Sequence, residues 1–312
     1  MSAALPATQT PVTTAAPARL RSARPSFVGI VRGELFKVSR QWSAWIFAVL
    51  YLGAICLPYL VLLSSGRIAY EVGHDPMSAL YSVLGVDMMV LKVFGGALII
   101  LVTARLIGME YSGGTIRVLL SRGVGRLQLL FGKLAAITLI ALALVMLTVL
   151  LDLLLTVVLL LLAVGNLDLF KSATSAYWSD AWVFLLTALI SLGVTILMAT
   201  AITVIGRSLA FGMTVAILWY PAENISVIFL LLGYMLTKSD FWRLISGDFL
   251  GLNLNAMAGA MLPPRAALAA SISFQTPLVP VTGGHTLLVV AVFAVVFAAV
   301  SIILTARRDV KE

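Results

Sequence analysis

Six stretches of roughly 20 or more largely apolar residues constrain this chain more than any other feature, because each can cross a hydrocarbon core of about 30 Å as a helix. They run from Trp42 to Leu63, Leu84 to Ile107, Leu134 to Val164, Trp182 to Ile205, Ala210 to Leu236 and Thr286 to Thr305. The runs are continuous rather than alternating, which excludes barrel strands and predicts an all-α, polytopic helical membrane protein. With 61% hydrophobic and only 11% charged residues, the chain has more apolar surface than one soluble core could bury. The second window carries Asp87 and Lys92 near its start, and the fifth is interrupted by Pro221 and Glu223. Losing either window would put the two termini on opposite sides.

The placement of Lys and Arg supports an even count, since these residues accumulate in short cytoplasmic segments. Arg32, Lys37 and Arg40 precede the first window, Arg105, Arg117, Arg122, Arg126 and Lys133 surround the second connection, Arg207 sits in the fourth, and Arg307, Arg308 and Lys311 follow the last. The other connections mix fewer basic residues with Glu71, Asp75, Asp168, Asp180, Asp240 and Asp248. Both termini are therefore expected on the cytoplasmic side, in a multi-pass membrane protein of the bacterial inner or plasma membrane. The net charge of +8 reads as this topology signal. Nucleic-acid binding is not expected, because no loop interleaves aromatic residues with a basic stripe. A lone Cys56 inside an apolar window excludes an internal disulfide and a cysteine metal cluster.

Residues 1–26 are rich in Ala, Thr and Pro, contain Arg19, Arg21 and Arg24, and lack acidic residues. That composition predicts a disordered cytoplasmic tail, although a transit peptide has a similar make-up. Over residues 27–41 the apolar Phe27, Ile30, Val31, Leu35 and Val38 recur at helical spacing between Arg32, Glu34, Lys37 and Arg40. They predict either an interfacial helix leading into the first span or a plain basic flank. The permease-like remainder is 42–312, in which the long extracytoplasmic connection 237–285 is broken by Pro263, Pro264, Pro277 and Pro280. Short helices at the membrane surface are expected there, and no internal repeat is visible.

The connection from Glu110 to Lys133 is basic and patterned. Ser112-Gly113-Gly114 breaks the preceding helix, Thr115 is placed to cap a new one, and Gly123 is placed to end it. Ile116, Leu119 and Leu120 share one face of the resulting two-turn helix, with Arg117 directed elsewhere. A helix this short is marginal alone and must dock. It can lie on its own membrane surface, with Arg117 and Arg122 reaching lipid phosphates, or it can meet a partner.

The run Gly108-Met-Glu110-Tyr-Ser-Gly-Gly114-Thr115-Ile-Arg117-Val-Leu-Leu120, continuing through Arg126 to Gly132-Lys133, resembles a signature of ABC-transporter permeases of the type-two (ABC-2) exporter class. Glu34-Leu-Phe-Lys37 resembles that family's lead-in helix, and Arg307-Arg308-Asp309 its usual ending. The paired Gly123 and Gly125 around Val124 depart from the family's usual pattern. The resemblance implies that 110–126 is a coupling helix docked on a separate ATPase subunit. Glu110, Gly114, Thr115, Ile116, Arg117, Leu119, Leu120, Arg126 and Lys133 would serve the coupling, with Glu34 and Lys37 in the lead-in helix. It also implies a second permease subunit, in a homo- or heterodimer, within the lipid bilayer. No Gly-x-x-x-x-Gly-Lys-[Ser/Thr] loop occurs, so ATP and Mg are expected on the partner and no cofactor on this chain.

Asp152 and Glu223 lie inside apolar windows, where an ionisable group is a functional candidate. Asp152 can instead sit near the outer interface, and Glu223, just after Pro221, can serve as helix glue or as a gating or substrate contact. Asp87 and Lys92 are expected as outer-interface or surface charges. The competing class is an ion-driven carrier using Asp152 and Glu223. An intramembrane protease is disfavoured, since His74 and His285 are the only histidines and no His-Glu-x-x-His or Gly-x-Ser-x-Gly occurs.

Overall fold

Helix follows helix, as the unbroken apolar runs require, and no strand occurs among the described residues. The computed structural model describes residues 26–113, 123–271 and 275–307. The amphipathic α1 (Phe27–Ser39) leads into α2 (Trp42–Ser65), which ends at Gly66 in the left-handed region at φ 64°. The short α3 (Arg67–His74) is followed by α4 (Pro76–Val90). Asp75 starts α4 by accepting hydrogen bonds from the Ser78 amide at 3.3 Å and hydroxyl at 2.9 Å, with Pro76 at the first helical position. A π-helical turn at Leu91–Gly95 joins α4 to α5 (Gly96–Ser112), making one continuous span of 37 residues.

After the connecting segment come α6 (Arg126–Ala163), α7 (Ser175–Gly206) and α8 (Leu209–Thr237). At 38 residues, α6 is about 57 Å long and must project beyond a 30 Å hydrocarbon core. The α8 span bends by 43° between Leu209–Glu223 and Ile225–Thr237, where Pro221 removes a backbone donor. The short α9 (Phe241–Ser246), α10 (Leu250–Met261) and α11 (Pro264–Ser271) precede the last span, α12 (Gly283–Arg307). Five unbroken spans and the bent α8 make six, among the described residues.

The α4–α5 span and α7 form the centre, sharing a core that includes Leu91, Ile99, Ile137, Phe184 and Ala188. Outside them, α2 exposes Trp42, Trp45, Val49 and Leu60, and α12 exposes Leu288 and Val295. In a bilayer such apolar exposure carries no penalty, and packing depends on close approach at small residues. At Gly85 a Cβ would lie 2.7 Å from the Ala269 carbonyl oxygen of α11. At Gly108 it would lie 2.7 Å from the Leu209 Cα at the start of α8.

The 237–285 connection does not stay at a surface. Residues Leu250 to Ala258 of α10 are buried, packed against α7, α8 and α12. The Leu254 carbonyl lies 3.5 Å from the Lys92 ammonium, about 24 Å along the helix from Pro76. Backbone carbonyls take the side-chain N–H groups of its two asparagines: Asn253 donates to the Gly247 and Phe249 carbonyls at 2.6 and 2.9 Å, and Asn255 to the Gln275 carbonyl at 3.0 Å.

Candidate functional site

The Glu110–Arg126 segment leaves α5 at Ser112, with Gly113 as its cap. Gly114, Thr115, Ile116, Arg117, Leu119 and Leu120 lie outside the described residues. The described chain resumes at Gly123, whose φ of 82° suits glycine, and α6 begins at Arg126. What the structure gives is the frame that holds this segment at both ends.

Four ionisable side chains from three helices meet at the base of that frame. Lys133 of α6 is 3% exposed and uses all three of its donors: 2.8 Å to Glu110 Oε1, 3.1 Å to Glu34 Oε2 and 2.6 Å to the Leu106 carbonyl. Glu34, also 3% exposed, gives its other oxygen to Lys37 at 2.7 Å. Lys37 reaches Glu110 Oε1 at 3.3 Å. Two carboxylates thus face two ammonium groups and the cluster has no net charge. Half-burial pushes the Lys37 ammonium down, but the hydrogen bond and charge of Glu34, followed by those of Glu110, outweigh it and hold it above its ordinary value.

The surrounding packing explains why Glu34, not an apolar residue, is the most deeply placed side chain of α1. Gly132 lets α1 approach α6 so closely that a Cβ there would lie 2.6 Å from Ile30 Cγ2. At that separation Glu34 reaches Lys133 directly, while Phe27, Val28 and Phe36 point outward. Further ties bind the same region to the spans beyond it. Ser112 Oγ accepts from the Leu209 amide at the start of α8 at 3.3 Å, and Arg126 donates to the Ala306 carbonyl at the end of α12 at 3.4 Å. A cation at that helix C-terminus also suits its dipole. The two ends of the segment are therefore fastened to α1, α8 and α12, and the described ends of the chain lie at this same end of the bundle.

These ion pairs tie α1, α5 and α6 to one another. Sliding α1, α5 or α6 separately would strand buried charge, and breaking one partner of a buried pair costs about 3–5 kcal/mol. Glu34, Lys37, Glu110 and Lys133 were each identifiable in the sequence, but their meeting was not. Glu34 and Lys133 are 99 positions apart, and only the close approach at Gly132 brings them together.

The other candidates stand apart from this block. Asp87 and Lys92 correct the expectation of outer-interface charges, for both are only 7% exposed. The helix starts at Pro76, eight residues before the apolar window suggests, which carries both side chains well inside it. Asp87 accepts from the Tyr59 hydroxyl at 2.7 Å, whereas Lys92 donates to the Leu254 carbonyl. Asp152 of α6 is 6% exposed. Glu223, at the bend of α8, accepts from the Gly251 amide, so it caps the N-terminus of α10. The carboxylate thus serves a neighbouring element, not the backbone groups that Pro221 frees in its own helix.

A family model described as "ABC-2 family transporter protein" matches residues 30–220, more than half of the chain, taking in most of α1, the four-residue ion cluster, the connecting segment and Asp152. No curated protein matches the chain.

Proposed function

The chain belongs to the ABC-2 transporter family and is a membrane permease subunit of an ABC transporter, and from that premise we propose that it exports its substrate by coupling residues 110–126 to a separate ATPase. The observation that carries this reading is the ion cluster of Glu34, Lys37, Glu110 and Lys133, which joins both ends of that segment to α1, α5 and α6. In this reading Ile116, Leu119 and Leu120 dock on the ATPase while Gly114, Thr115 and Arg117 shape and orient the helix. Closure of paired ATPases displaces the segment, and the block carries the displacement into the spans. Arg126 passes it to α12 and Leu209 to α8. A second permease subunit completes the path, ATP and Mg are bound by the partner, and the basic end of the bundle faces the cytoplasm of a bacterial cell.

An ion-driven carrier built on Asp152 and Glu223 fits the geometry less well, because Glu223 is engaged in capping α10. The test is to purify the tagged chain from its native membrane, identify any bound ATPase and measure ATP-driven transport in vesicles. A bound ABC ATPase and transport that stops without ATP are the expected results. Transport that persists in ATP-depleted vesicles under an ion gradient would support the carrier.

A further inference from the structure

A second polar cluster lies on the same long helix as Lys133, about 28 Å further along it, in the half of the bundle away from the connecting segment. There α2, α4 and α6 bring together Tyr59, Asp87, Asp152 and Thr156, beside an apolar cluster that includes Ile68, Leu80 and Leu160. The Tyr59 hydroxyl lies 2.7 Å from Asp87 Oδ1, 3.1 Å from the Asp152 carbonyl and 3.2 Å from Thr156 Oγ1. Its one proton is best used at the shortest of these contacts, to Asp87, which leaves the hydroxyl oxygen able to accept from Thr156.

Asp152 itself is the anomaly. Its side chain is buried, and both carboxyl oxygens are shielded from solvent without a hydrogen-bond partner. The Tyr59 hydroxyl touches both Asp87 and the Asp152 backbone, which sets Asp152 beside Asp87 in this cluster. An ionised carboxylate stranded in a low dielectric is costly enough that it takes up a proton or a counter-cation. No described basic residue supplies the cation. Lys92 turns to the Leu254 carbonyl, Arg67 of α3 pairs with Glu71 at 2.6 Å, and the basic groups near the base of α6 are engaged in the other cluster. The titratable groups that do face the pair are Tyr51 and Tyr59 from α2 and Tyr177 from α7, and Tyr51 is already bonded to Thr148 at 2.6 Å.

We infer that Asp87 and Asp152 form a proton-binding site within the membrane-spanning bundle, holding one exchangeable proton as an O–H on Asp152 while Tyr59 keeps Asp87 anionic. Loss of that proton leaves two like charges in one buried site, which two carboxylates so placed do not tolerate together. The site is therefore a single-cation site, and an alkali cation on the same oxygens is the alternative occupant. This inference does not depend on where the ATPase docks.

Infrared spectroscopy of the full chain in lipid nanodiscs at neutral pH distinguishes the cases. The wild type is expected to show a protonated-carboxyl absorption that is lost in Asp152→Asn and kept in Asp87→Asn. Its absence from the wild type, or its persistence in Asp152→Asn, would overturn the inference. Adding Na+ or K+ at fixed pH is expected to leave it intact; its disappearance would assign the site to an alkali cation instead. If Asp152→Asn does not fold, Tyr59→Phe serves in its place. Without its donor Asp87 also takes a proton, so the absorption rises, and an unchanged or smaller signal would contradict the assignment.

Discussion

Lys133 shows why a buried lysine can be a fixed structural part: its three N–H groups meet two carboxylates and a carbonyl, and no donor is wasted. Removing it in Lys133→Ala leaves the buried Glu34 and Glu110 to share the half-exposed Lys37, so the protein is expected to lose about 3 kcal/mol in detergent unfolding. Lys133→Arg should not rescue it, since a planar fork cannot point three ways as an ammonium does. Lys37→Met is expected to be milder because that side chain is half in solvent. Its effect also has a direction in pH. A lysine held above its ordinary value contributes stability that is fully present below 10.5 and is lost as pH rises through the folded value. The difference in unfolding temperature between wild type and Lys37→Met should therefore be constant at neutral pH and shrink above 10.5.

At the scale of elements, the junctions depend on small residues and on one borrowed cap. Gly132→Val would force α1 away from α6 and draw Glu34 from Lys133, with an expected loss of about 1–3 kcal/mol from overpacking before the ion pairs are counted. Thermal unfolding of the variant checks this. Glu223→Ala removes the cap of α10 and should cost about 1 kcal/mol. Hydrogen exchange should then speed up in Leu250 to Asn253 while the rest of the bundle stays protected. Neither junction was legible in the sequence. Gly132 is one of 24 glycines, with nothing nearby to name Ile30 as its neighbour. Helix α10 lies in a connection whose apolar stretches are broken by Pro263, Pro264, Pro277 and Pro280, a pattern that points to short helices at the membrane surface. Its burial is helped by Glu223, which takes the Gly251 amide, and by nearby carbonyls, which take the Asn253 and Asn255 side-chain N–H groups.

For the whole molecule, the architecture was legible because a bilayer leaves a continuous apolar run little choice but a helix. The six spans fall close to the expected windows, and even the doubtful fifth keeps its place as a helix bent at Pro221. The second ran differently. Its window begins at Leu84, but the helix begins at Pro76, and that shift alone turned Asp87 and Lys92 from surface charges into buried ones. The candidate coupling site was half legible: its residues were visible one by one, but their convergence depends on contacts between distant parts of the chain. The proposed coupling follows a path from residues 110–126 through the buried ion cluster into the spans. Simultaneous substitution of Ile116, Leu119 and Leu120 by Asp, followed by measurement of ATPase retention and ATPase stimulation in the purified folded complex, tests that path most directly. The variant is expected to lose both while its own unfolding temperature stays within a few degrees of wild type; full retention of the ATPase with undiminished stimulation would rule that path out.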